Sequence, residues 1–153
     1  MERDIELNYT GTSDELDVRV VNGDLKLGSS IANRIILSLF TWRAPESGDV
    51  LPVDNSRGGY WGDDVASRES ETPGTFGSRI WELNGKITDE TPALVENYAQ
   101  ESLDWLTDEA NVSEFSVSAA RRGVSQIDLT VTLTLANGET QRLVYADILN
   151  WGK

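Results

Sequence analysis

Leu129-Thr130-Val131-Thr132-Leu133-Thr134-Leu135 alternates apolar and hydroxyl side chains through seven residues, and Asn137-Gly138 follows almost at once. A period of two is the signature of a strand with one buried face and one polar face. Asn-Gly tolerates the positive φ of a tight turn, so the chain is expected to return through Leu143, Val144 and Tyr145. Upstream, Phe115, Val117 and Ala119 alternate as well and supply a third strand.

The elements before this sheet are helical or mixed. Leu94, Val95, Tyr98, Ala99, Leu103, Trp105 and Leu106 form one apolar stripe, which predicts a helix over about 91–107. Pro92 suits its first turn, Thr88, Asp89 or Thr91 can cap it, and Glu96, Gln100, Glu101 and Asp104 are expected to face outward. Ile31, Ala32, Ile35, Ile36, Leu39 and Phe40 mark another helix, starting at Ser29 or Ser30 and ending before Ala44-Pro45. Further back, Ile5 to Tyr9 reads as a short strand, and Asn22-Gly23 predicts a β-hairpin over about 16–27. Residues 45–76 hold three of the four prolines and read as one long irregular loop. Together these elements predict a single α+β domain over 1–153, two main helices packed on a largely antiparallel sheet.

Composition narrows the chemistry. The chain of 153 residues has no cysteine and no histidine. Thiolate metal sites, disulfides and every histidine-based triad or zinc site are thereby excluded. An enzyme would have to work with carboxylates, lysine or tyrosine. The formal charge of −13 argues against nucleic acid and anionic membranes as partners. The bland reading of that charge is solubility; the sharper one is an acidic face for a basic partner. Met1-Glu2-Arg3-Asp4 does not open a secretory signal, so synthesis and residence in a cytoplasm are expected.

Carboxylate clusters at Asp63-Asp64, Glu69 with Glu71 and Asp89-Glu90 could serve glycoside hydrolysis, which needs only two acids at a fixed separation. With 26 acidic residues such clusters arise by chance, and solvated surface charge is the simpler reading. The same abundance of oxygen ligands lacks an EF-hand rhythm, and no glycine-rich run leads into Lys-Ser or Lys-Thr. No cofactor is implied. Trp61, between Tyr60 and Gly62 in the irregular region, is a candidate contact, since aromatic side chains dominate binding hot spots. Trp81 and Trp105 read as core, and Trp151 as a plug on the sheet or a contact for a neighbour.

The order of several short motifs carries a resemblance. Asn22-Gly23-Asp24-Leu25 leads to Ile35-Ile36-Leu37-Ser38-Leu39-Phe40-Thr41. Arg57-Gly58-Gly59-Tyr60-Trp61-Gly62-Asp63, Gly77-Ser78-Arg79-Ile80-Trp81 and Lys86-Ile87-Thr88-Asp89-Glu90-Thr91 follow, and then Tyr98-Ala99 and Leu103 with Trp105-Leu106. In this order the chain resembles the Mu-like phage baseplate family over about 16–151, and that family is similar to the sheath-initiator wedge proteins of contractile tails. In those proteins Phe-Gly precedes a helix, a Glu-Pro-Arg motif and a three-strand sheet. Phe76-Gly77 matches, whereas Thr107-Asp108-Glu109-Ala110 stands where the motif falls and lacks its proline and arginine.

The resemblance implies a structural, non-enzymatic subunit of the virion tail baseplate, assembled in the host cytoplasm in a six-copy ring. Its partners would be the tail sheath protein and the baseplate wedge and tube proteins. The sheet edge within 127–147, with Leu143, Tyr145 and the terminal Trp151, would template a sheath subunit by strand addition. Tyr60, Trp61, Gly62, Asp63, Gly77, Ser78 and Arg79 would contact wedge or tube neighbours, with Arg79 paired to Glu90. The competing expectations are a cell-wall glycan hydrolase using carboxylates and an acidic inhibitor of a basic protein.

Overall fold

The computed structural model describes residues 3–9, 16–18, 20–25, 27–44, 76–83 and 87–150. The motif Tyr60, Trp61, Gly62, Asp63 and the terminal Trp151 lie outside the described residues.

Three strands form the main sheet in the order β7 (Val112–Arg122), β8 (Gln126–Leu135), β9 (Thr140–Tyr145), all antiparallel. The alternation in β8 works as its period demands. Ile127, Leu129, Val131, Leu133 and Leu135 are buried, while Thr130, Thr132 and Thr134 lie on the half-exposed face. Burying side chains of this size contributes about 1.5–3 kcal/mol each, so β8 is the spine of the core. The β8–β9 loop closes by two bonds, Leu135 N–H to Glu139 O and Gly138 N–H to Leu135 O. Gly138 takes φ +87, and the Asn137 side chain accepts from Glu139 N. This is a three-residue loop, one residue longer than the two-residue turn that Asn-Gly suggests.

The helical layer covers the apolar face of this sheet. Helix α1 (Ser30–Phe40) buries Ile31, Ile35, Ile36, Leu39 and Phe40, and α2 (Thr91–Ser102) buries Val95 and Ala99. The expected 91–107 helix is two pieces. Leu103 leaves the helical region at φ −106, and a 3₁₀ segment (Asp104–Asp108) continues the stripe to Leu106. Leu103 and Leu106 are fully buried three residues apart, which matches the three-residue repeat of the tighter helix. Leu94, expected in the stripe, is instead exposed. Ser29 is the N-cap of α1, but its side chain makes no capping bond, and Glu90 rather than a threonine is the N-cap of α2. Thr91 Oγ1 accepts from Thr88 N and braces the approach to α2.

Three links join α1 and the residues just after it to α2 and the segment beyond. Arg34 pairs with Glu109, Trp105 Nε1 donates to Ser38 Oγ at 3.0 Å, and Arg43 pairs with Glu101. The partners step forward along α1 as they step back from 109 to 101, so the two segments run antiparallel. Arg34 also stacks over Trp105, 4.1 Å from the ring centre.

The N-terminal part departs from the expected hairpin. Only β4 (Val20–Val21) and β5 (Asp24–Leu25) pair across Asn22-Gly23, whose φ values of 53° and 80° fit a primed turn. Strand β3 (Leu16–Val18) pairs instead with β2 (Leu7–Tyr9), and β6 (Leu27–Ser29) with β1 (Arg3–Ile5). The cause sits on α1. Asn33 is buried on its apolar face, donating to Ile5 O and accepting from Leu7 N. That side chain satisfies the backbone between β1 and β2 and draws both strands to the helix, where they take the partners that a longer hairpin would have used. The α+β class stands, with three two-stranded ribbons and one three-stranded sheet among the described residues.

A clip fastens Phe76-Gly77-Ser78 to the end of α1. Ser78 N–H donates to Thr41 O, Arg43 N–H to Ser78 O, and Ser78 Oγ to Leu39 O. Gly77 has φ +104, and a Cβ there would lie 2.5 Å from Thr41 O and 2.9 Å from Arg43 N. Trp81 completes the clip through Nε1 to Arg43 O and a stacked contact with Trp42. Gly77→Ala is expected to cost about 3 kcal/mol or more, from strained φ together with the backbone clash. Gly23→Ala, with similar φ and open space around it, should cost about 1 kcal/mol. Urea unfolding of the two variants compares them directly.

Candidate functional site

A three-stranded sheet has two edges, and the hydrogen-bonding parity of each follows from the register. Leu135 N–H bonds Glu139 O, so the pairs that exchange hydrogen bonds along β8–β9 are Leu133 with Gln141, Val131 with Leu143 and Leu129 with Tyr145. The N–H and C=O groups of Thr140, Arg142 and Val144 therefore point away from β8. Among the described residues no strand pairs with that side.

The other edge is treated differently. Ala119 on β7 turns its N–H away from β8, and Glu96 Oε1 of α2 accepts it at 2.8 Å. Glu96 was expected to face solvent; it is half-buried because the helix runs beside the edge strand and brings the carboxylate onto the backbone. The ladder of β7 is also interrupted between Val112 and Glu114, and Ser113 Oγ at the interruption donates to Thr134 O at 3.0 Å. Bulges and covering groups are ordinary means of closing an edge.

Beside β9 runs a groove of about 380 Å³, walled on one side by Gln141 to Tyr145 and on the other by Glu6 and Leu7. Ala32, Asn33 and Ile36 of α1 also line it, together with Ser29. The Ser29 hydroxyl is buried without a hydrogen-bond partner among the described residues. Leaving such a group unsatisfied costs about 1–3 kcal/mol. Asn33 holds the far wall in place through its two bonds to Ile5 and Leu7.

Of the residues expected to make contacts, Leu143 and Tyr145 lie on this strand. Both turn their side chains to the core face, Leu143 half-buried and Tyr145 4% exposed. Burial pushes the Tyr145 phenol well above its ordinary range, and its ring packs edge-on against Phe40. What the strand offers outward is backbone, with the side chains of Thr140, Arg142 and Val144 exposed beside it.

Gly77, Ser78 and Arg79 are placed elsewhere, about the clip. Gly77 and Ser78 are buried there. Arg79 does not reach Glu90. It pairs with Glu82 at 2.9 Å and lies 5.0 Å from the centre of the Tyr98 ring. The 3₁₀ turn Ile80–Leu83 explains the choice, since it sets residues three apart on one side. Glu90 is exposed at the N-cap of α2. Trp81 and Trp105, expected in the core, are half-buried and keep their ring N–H groups on Arg43 O and Ser38 Oγ. The Thr107–Ala110 stretch lacks its own arginine, but Glu109 receives a cation from α1 through Arg34.

Three residues that matter here escaped the sequence reading. Asn33 was visible as a polar residue inside an apolar stripe, and Arg142 as a charge inside a strand. Glu96 carried no such signal. Among the described residues no group of three or more acidic side chains is placed to hold a metal ion, and no helix is long and apolar enough to cross a membrane.

The comparisons with known proteins agree with one another. The family model described as Phage protein GP46 matches residues 31–140. The curated "Baseplate protein gp46" of Escherichia phage Mu is 33% identical over 117 residues, covering 75% of this chain and 77% of that protein. The "Mu-like prophage FluMu protein gp46" of Haemophilus influenzae is 28% identical over 149 residues, covering 95% and 97%.

Glu96→Ala should leave the Ala119 amide without its charged acceptor and lower stability by about 1–2 kcal/mol, read from urea unfolding. Because the same change opens the β7 edge, the variant should also self-associate at concentrations where the parent chain does not, as sedimentation velocity would show.

Proposed function

The chain belongs to the Phage protein GP46 family, and from that premise we propose that it is a structural baseplate subunit of a Mu-like phage tail whose β9 edge receives an extended strand from a sheath subunit. The observation that carries the finer reading is the asymmetry of the two edges. At one edge Glu96 accepts the Ala119 N–H, while at the other the outward backbone groups of Thr140, Arg142 and Val144 pair with no strand among the described residues and lie beside a groove. Strand addition gains affinity from main-chain hydrogen bonds and needs this kind of edge. An unprotected edge is a liability for an isolated chain, so its retention here favours a partner that covers it.

The location in the virion tail follows from the same premise, as does contact with other tail components. The contacts assigned to wedge and tube neighbours, and the six-copy ring, belong to the proposal. For wedge contact the surface around the clip is the most suitable. Trp42 is 37% exposed and stacks on Trp81, beside the ion pair Arg43–Glu101. Large aromatic surface with a cation at its rim is the usual composition of an interface centre. A non-enzymatic role accords with the relatives' names and with a chain free of histidine and cysteine. The carboxylates Asp89 and Glu90 are exposed, and among the described residues no geometric feature favours the hydrolase reading; Asp63, Asp64, Glu69 and Glu71 lie outside the described residues.

Proline separates strand addition from other modes of contact. Val144 N–H points outward, so Val144→Pro should leave the β8–β9 ladder formed while removing a donor from the receiving edge. The variant is expected to keep its circular dichroism spectrum and to lose co-purification with the sheath protein encoded beside it. Leu143→Pro, which removes a ladder N–H, should instead unfold the hairpin. A Val144→Pro chain that still captures sheath protein would rule out strand addition at β9, and a wild-type chain that binds no tail protein would sink the baseplate reading.

A further inference from the structure

Of the six arginines whose side chains are described, five are paired. Arg34, Arg43, Arg79, Arg121 and Arg122 each reach a carboxylate, at Glu109, Glu101, Glu82, Asp89 and Asp128 respectively. Arg142 has no ion-pair or hydrogen-bond partner among the described residues, although the chain carries 26 acidic residues. Its position is central. It is the middle one of the three residues that turn their backbone outward from β9, its side chain is exposed, and its neighbour across the ladder is Thr132.

Resting on the reading of β9 as a receiving edge, we propose that Arg142 selects the incoming strand, favouring an extended segment with a single carboxylate opposite it and apolar residues on either side. The residue of an antiparallel incoming strand that exchanges backbone hydrogen bonds with Arg142 brings its side chain within about 5 Å on the same face. An acid there meets an unpaired guanidinium; a lysine or arginine meets like charge. The adjacent residues of the incoming strand point to the opposite face, where Ala32, Ile36, Leu7 and Leu143 supply the apolar part of the groove lining beside Glu6, Asn33 and Gln141. That gives the apolar–acid–apolar pattern. A long acidic tract is disfavoured, because a chain at −13 repels it as a whole. One carboxylate at one position is what the geometry rewards.

The same residue disfavours self-pairing. Two β9 strands joined antiparallel about their centres would set Arg142 opposite Arg142 of a second copy, and a charge at the middle of an edge strand is a known guard against such association. Arg142 thus separates the intended partner from a second copy of the chain by charge alone.

The test uses the full chain and labelled, end-capped peptides of sequence Val-Thr-Val-X-Val-Thr-Val, with X as Glu, Gln or Lys, followed by fluorescence anisotropy. The Glu peptide is expected to bind about fivefold or more tighter than the Lys peptide, with Gln between them. The order should collapse in Arg142→Gln and reverse in Arg142→Glu. Both variants alter an exposed side chain, and their circular dichroism should match the parent's. Binding of all three peptides with equal affinity, or a preference for Glu that survives Arg142→Gln, would overturn selection by Arg142 while leaving the receiving edge intact. Failure of every peptide to bind would overturn both.

Discussion

Backbone N–H and C=O groups along a sheet edge must find partners or remain in water, and a three-stranded sheet has two such edges. Here β8 is spent on both sides, by β7 and by β9, and its apolar face is buried under the helices. Helix α2 lies along β7 and lends it the Glu96 carboxylate. Beside β9 the nearest elements are α1 and the N-terminal strand β2, with a groove between them and the sheet. That asymmetry follows from where the helices sit. Among the described residues it leaves β7 with a carboxylate on one of its outward amides and β9 with none.

Two devices keep the groove open. Asn33 ties Ile5 and Leu7 to α1, so the N-terminal segment forms a wall of the groove and is held to the helix. The three links between the 34–43 stretch and the 101–109 stretch fix α1 against the rest of the layer. Individually the exposed ion pairs are worth little, about 0–1 kcal/mol each. Their value is positional, since each sets one point of the antiparallel seam. The clip at Gly77 and Ser78 does the same work at the far end of α1. There the absence of a Cβ is a requirement of close backbone approach, so the Gly-Ser-Arg-x-Trp motif has a sufficient explanation in folding.

Period-two alternation in Leu129–Leu135 and the apolar stripe of α1 were legible, because burial on one face leaves a direct trace in sequence. The α+β class followed from them. The Asn22-Gly23 turn was legible too, but the length of its hairpin was not. Nothing in residues 16–27 announces that Asn33 will draw β1 and β2 to the helix and redirect β3 and β6. Glu96 was read as solvent-facing because a helical wheel gives direction only; it does not say that an edge strand lies there. Arg79 met a similar limit. The 3₁₀ turn that brings Glu82 to it depends on the clip, and the clip depends on a contact between residues some 37 positions apart, Thr41 and Ser78. Family resemblance supplied both the baseplate assignment and the sheet edge within 127–147, and the ladder register adds which backbone groups of β9 face outward.

Amide hydrogen exchange, residue by residue, measures directly which edge is open and which is taken. In the free chain Ala119 should exchange slowly and Thr140, Arg142 and Val144 quickly, while Gln141, Leu143 and Tyr145 stay protected by the ladder. In complex with the sheath protein, protection should appear at Arg142 and Val144 and leave Ala119 as it was. Protection that appears along β7 instead, or three β9 amides already slow in the free chain, would contradict β9 as the receiving edge.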